Sequence, residues 1–131
     1  MLTKSNTLWI LSYTKGRLRL RVSNAKIVEK PWGREIWYAH EREYAGKILE
    51  IKKGFRSSLH YHEKKKETMY VLEGEVRIIK KDGELTLNEG ESITINPGEI
   101  HRIVPLRDSK ILESSTPELD DVIRVEDDYE R

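Results

Sequence analysis

Cysteine and glutamine are absent from this chain of 131 residues, and phenylalanine occurs once. Without cysteine there is neither a disulfide nor a thiolate ligand, so any metal site must be built from histidine and carboxylate. No apolar run approaches the roughly 20 residues that cross a bilayer as a helix. Leu8-Trp9-Ile10-Leu11 is apolar but too short for the core of a signal peptide, and no small-residue cleavage site follows it. A cytoplasmic location is therefore expected, with no membrane partner. An excess of one charge is also lacking: 24 Lys and Arg face 23 Asp and Glu, a net charge of +1. That balance carries no electrostatic footprint for nucleic acid. The run Lys64-Lys65-Lys66 reads accordingly as a solvated loop. Abundant Lys and Glu without Gln is a composition frequent in proteins of hot environments.

What is present is a succession of short period-2 segments at the length of one domain. Lys47-Ile48-Leu49-Glu50-Ile51 reads as a strand ending at Gly54, and Thr68 to Leu72 as another ending at Gly74. Val76 to Ile79 and Leu85 to Leu87 flank Lys81-Asp82-Gly83, a strong hairpin signal. Ser92 to Ile95, Arg102 to Val104 and Ile111-Leu112 complete the set, and Val122, Ile123 and Val125 form a weak last alternation. Short strands punctuated by Gly and Pro predict an all-β antiparallel barrel or sandwich.

Three of the four histidines fall where ligands are wanted. His60 and His62 are two apart, so on a strand both rings enter the same space. Glu67 follows after room for a tight turn, and His101 comes after Pro97-Gly98 at the start of another strand. Three imidazoles and a carboxylate suit zinc, manganese, iron, cobalt or nickel. They leave positions open, as in a reactive rather than a structural site. The run Gly54-x5-His60-x-His62-x4-Glu67-x6-Gly74 resembles the first motif of the cupins. Gly90, Pro97, Gly98 and His101 resemble the second, with Asn96 at its usual proline and Pro105 at its final asparagine. The resemblance implies a single cupin β-barrel, a double-stranded antiparallel jelly roll. It also implies one divalent metal ion on His60, His62, Glu67 and His101.

Within the cupins, residues from about Val28 onward resemble the C-terminal isomerase domain of type II mannose-6-phosphate isomerases. The resemblance rests on Lys30-Pro31-Trp32-Gly33, on Gly54 to Leu59, on Pro97 to Arg102, and on the closing Asp120 to Tyr129. His60 stands where those enzymes usually carry Gln. The implied activity is metal-dependent aldose–ketose isomerisation of a sugar phosphate. Glu67, Lys47 and Arg102 are then candidate catalytic residues, and Arg56, Lys47 and Arg102 candidate substrate contacts. The alternatives are a cupin that binds a sugar or other small molecule without turnover, and an iron- or manganese-dependent oxygenase. Residues 25–131 would form the cupin domain and residues 1–24 an extension. Thr7 to Tyr13 and Arg17 to Val22 have strand character and would cover a sheet edge in a two-fold homodimer.

Overall fold

The computed structural model describes residue 20 and residues 22–129. Within them the chain is all-β, with eleven strands. They are β1 (Lys26–Lys30), β2 (Gly33–His40), β3 (Ala45–Ile51), β4 (Leu59–Tyr61), β5 (Glu67–Glu73) and β6 (Glu75–Lys80), followed by β7 (Gly83–Asn88), β8 (Ser92–Ile95), β9 (His101–Pro105), β10 (Ser109–Ser115) and β11 (Ile123–Glu126). One sheet has the order β1-β2-β3-β10-β5-β8 and the other β11-β4-β9-β6-β7. All pairings are antiparallel, and the sheets close as the jelly-roll barrel expected from the motifs.

Alternation builds the interior. Leu49 and Ile51 of β3, Met69 and Val71 of β5, Val76 and Ile78 of β6, Ile103 of β9 and Ile111 of β10 share one buried cluster with Trp32, Leu87 and Ile95. Each such side chain contributes about 1.5–3 kcal/mol on burial. The expected Asp82-Gly83 hairpin is present, with Lys80 opposite Gly83.

The β1–β2 hairpin was not among the expected strands. Its two-residue turn is Pro31-Trp32, with Lys30 opposite Gly33. Gly33 has φ +150, and a Cβ there would lie 1.9 Å from the Glu50 carbonyl oxygen, so only glycine lets β2 lie this close to β3. The Pro-Trp-Gly block is therefore a turn that drops Trp32 into the core. The expected N-terminal strands lie outside the described residues, apart from Leu20 and Val22. These two are exposed and belong to no strand.

Candidate metal centre

His60 sits on β4 directly opposite His101 on β9, and His62 follows β4 by one residue. Each ring is fixed through Nδ1. His60 Nδ1 donates to the Ser58 carbonyl (2.9 Å) and His101 Nδ1 to the Glu99 carbonyl (2.9 Å). His62 Nδ1 donates to the carbonyl of Asp121. A histidine whose Nδ1 carries the proton presents a lone pair at Nε2. The ligand atoms of the three rings lie within 4.8 Å of one another.

The second-motif loop is tied to the first. The Gly98 amide donates to the His62 carbonyl at 2.7 Å, and Glu99 caps the turn through the Asn96 amide. Asp121 does the same from the C-terminal side. Its carboxylate accepts from the backbone N–H groups of Glu63, Lys64 and Lys65 while its carbonyl orients His62.

Glu67, the first residue of β5, points at these rings. Its Oε1 is 3.0 Å from His62 Nε2 and its Oε2 is 3.8 Å from His101 Nε2. His62 Nε2 and His101 Nε2 are buried with no hydrogen-bond partner among the described residues. Burying such atoms unpaired is costly. Two imidazole lone pairs left in this way, converging on one space beside the Glu67 carboxylate, fit a divalent cation. With His60 they form a nitrogen-rich set of the kind that suits zinc or another first-row transition metal.

Electrostatics keeps the set ready. Burial, then the neighbouring His101, pushes His60 down to about 3. Burial likewise lowers His101, so both rings are neutral near pH 7. Burial alone would raise Glu67, but His62, Lys65 and His101 outweigh it and hold the carboxyl below its ordinary range.

Behind the histidines lies a chain of buried charges. Lys65 Nζ is 3.1 Å from Glu67 Oε1 and 2.8 Å from Glu113 Oε2. Lys47 Nζ is 3.7 Å from Glu113 Oε2 and 3.1 Å from Glu35 Oε1, which also accepts from Trp37 Nε1. Lys65 corrects the reading of Lys64 to Lys66 as a solvated loop. Lys64 and Lys66 are exposed, but Lys65 is buried because the Asp121 clamp turns the loop inward. Glu35, Glu113 and Asp121 were likewise not singled out. Glu113 shares inward parity with Ile111, which is the one signal the sequence held for it.

The inner cavity, of about 60 Å³, is lined by the histidines together with Lys47, Lys65, Glu67, Glu113 and Trp32. A water needs roughly 10–15 Å³ by this measure, so there is room for an ion with a few waters but not for a sugar. Lys30, Glu35, Lys47, Val122 and Arg124 line both this cavity and an outer cleft of about 610 Å³. Of the candidate substrate contacts, Lys47 lines both spaces. Arg56 and Arg102 do not line either space. Residues 55–58 are not a strand, so the parity that would aim Arg56 at the mouth does not hold. Arg56 instead pairs with Asp128. Arg102 points away from its neighbour His101, donating to the Ser57 and Glu126 carbonyls. The arginine at the mouth is Arg124 of β11, opposite His60.

Residues 47–110 match the family described as Cupin domain. The chain is 28% identical over 127 residues to the xanthan biosynthesis protein XanB of Xanthomonas campestris pv. campestris, an alignment covering 93% of this chain. It spans only 27% of the length of that protein. Among solved structures, KdgF from Halomonas sp. superposes with a TM-score of 0.68 at 19% identity, covering 77% of this chain and 98% of that one. An RmlC-like cupin from Shewanella frigidimarina superposes with a TM-score of 0.67 at 20% identity, covering 74% and 87%. Likeness at these identities speaks to the fold, which agrees with the family match and the barrel topology. Residues 47–110 are a cupin domain, set in an all-β jelly-roll barrel.

Proposed function

We propose that this chain holds one divalent metal ion on His60, His62, His101 and Glu67 and interconverts an aldose phosphate and a ketose phosphate. The observation that carries the reading is the convergence of unpartnered His62 Nε2 and His101 Nε2 with the Glu67 carboxylate at the base of a cleft rimmed by cations. The metal would stabilise the negative charge that develops on the two adjacent substrate oxygens as a proton moves between their carbons. The body of the sugar would lie in the outer cleft, with only its carbonyl end reaching the ion in the inner cavity. Arg124 and Lys30 at the rim are placed to receive the phosphate, Arg124 by the paired N–H donors that suit this group. Glu35 lines both spaces and is held ionised against the effect of its burial, chiefly by Lys47, which makes it the carboxylate placed to carry the proton. Lys47 then acts by holding Glu35 and Glu113 rather than by touching substrate. The resemblance of the Pro31-Trp32-Gly33 turn and the Asp120 to Tyr129 segment to mannose-6-phosphate isomerases supports this substrate class.

The test is metal analysis of protein purified without added metal, then incubation with mannose 6-phosphate in deuterated water under proton NMR. Loss of the C2 proton signal with appearance of fructose 6-phosphate is expected. Thermal stabilisation by the sugar without exchange would instead mark a binding protein. Oxygen uptake with iron bound would mark an oxygenase.

A further inference from the structure

We infer that Lys65 is an internal cation that competes with the bound metal for the Glu67 carboxylate. It thereby decides whether the ion is held by three histidines or by three histidines and a glutamate. The inference rests on the metal-site reading above, but it concerns a residue outside the ligand set.

Lys65 has a side chain only 2% exposed, an unusual place for an ammonium. Its entry into the barrel is built rather than incidental. The Asp121 carboxylate takes the backbone N–H groups of Glu63, Lys64 and Lys65 at 3.0, 2.7 and 2.9 Å, which fixes the loop. The ammonium ends between Glu67 and Glu113, and the same Glu67 oxygen that faces it also faces His62 Nε2. One carboxylate oxygen is therefore shared between the metal site and a resident cation. Lys47 makes no contact with Glu67, being taken up by Glu35 and Glu113, and so cannot replace Lys65 there.

Two consequences follow for the ion. While Glu67 stays on Lys65, the ligands are three neutral imidazoles, and the full double charge faces the open positions. When Glu67 turns to the metal, the set gains a negative ligand, the ion is held more tightly, and its pull on substrate oxygens weakens. The buried carboxylates Glu35, Glu67 and Glu113 outnumber the ammoniums of Lys47 and Lys65 by one, so removing Lys65 alone also deepens the negative field. A fair test removes one charge of each sign.

The experiment uses cobalt(II), whose visible spectrum reports ligand number, on wild type, Lys65→Met, Lys65→Arg and the pair Lys65→Met with Glu113→Gln. Affinity is measured by chelator competition and folding by circular dichroism. The double variant keeps the net charge and is the deciding case where Lys65→Met alone fails to fold. It is expected to bind cobalt about tenfold more tightly, with a spectrum shifted toward higher coordination, while Lys65→Arg stays close to wild type. A folded double variant with unchanged or weaker affinity overturns the competition. So does tighter binding with an unchanged spectrum, because Glu67 would then not have moved. Wild type that takes up no cobalt would instead sink the metal-site reading itself.

Discussion

The two ends of this barrel's interior are built by the same strands and share almost no chemistry. On β3 the inward positions run Lys47, Leu49, Ile51; on β5, Glu67, Met69, Val71; on β10, Glu113 then Ile111; on β9, His101 then Ile103. At one end Leu49, Ile51, Met69, Val71, Ile103 and Ile111 are apolar and free to pack. At the other, Lys47, Glu67, Glu113 and His101 carry or accept charge and must be paired. One step of two residues along a strand, about 7 Å, separates a group that stabilises by leaving water from one that costs energy to bury. The apolar end specifies the barrel and the polar end is carried on it.

The largest effect should come at the polar end and leave the apolar end untouched. His62→Ala combined with His101→Ala removes two ligands that no neighbour replaces, and metal stoichiometry after dialysis against a chelator should fall to zero. The β-type circular dichroism should persist, both in this variant and in chelated wild type. Unfolding on chelation would show that the two ends are not separable.

Ile78→Ala inverts the comparison. Ile78 is fully buried in the apolar cluster on β6, opposite Ile103. Its truncation should cost about 2–5 kcal/mol in denaturant unfolding with metal stoichiometry unchanged. A loss of metal at full stability would contradict the division.

Acid should weaken the polar end first. His60 has an ordinary value of 6.5 and a folded value of about 3. Between these the unfolded chain binds a proton that the folded chain refuses, so stability falls as pH drops through that window. His101, also lowered, adds to the fall, and Glu67 adds to it below its ordinary 4.5. Glu113, raised mainly by burial, works in the opposite sense, its contribution being lost as pH rises. The melting temperature of chelated protein is therefore expected to decline steadily below about pH 6.5. A flat profile across the window would mean that the rings are not held neutral.

The contrast also explains what was legible beforehand. His60, His62, Glu67 and His101 could be read because motif spacing and strand parity both point to them. The strands of the apolar end could be read because period-2 burial repeats along them. The buried ion chain was hidden because its members come from β2, β3, β10 and a loop, and pairing of that kind leaves no local pattern. Lys65 was hidden for a sharper reason. A lysine run is ordinarily solvated, and what turns this one inward is a carboxylate 56 positions away, Asp121. The β1–β2 hairpin escaped because Ile36-Trp37-Tyr38 breaks alternation, its burial grading from buried Glu35 to half-exposed Tyr38.

The smallest effect belongs to the arginines that the structure separates. Arg56 and Arg124 both meet the C-terminal segment, Arg56 on Asp128 at the surface and Arg124 at the cleft mouth. The Arg56 pair has side chains 40% and 37% exposed, so water screens it and competes for both partners. Arg56→Ala should cost at most about 1 kcal/mol and leave KM for a sugar phosphate unchanged. Arg124→Ala, at similar exposure, pairs only loosely with Asp127 at 3.9 Å and should cost as little stability. If it holds the substrate phosphate, however, it should raise KM by roughly tenfold, the worth of one charge-assisted contact. Measuring both variants side by side removes the trivial explanation of lost positive charge, since each loses one. Equal KM values would return the phosphate to some other cation of the rim.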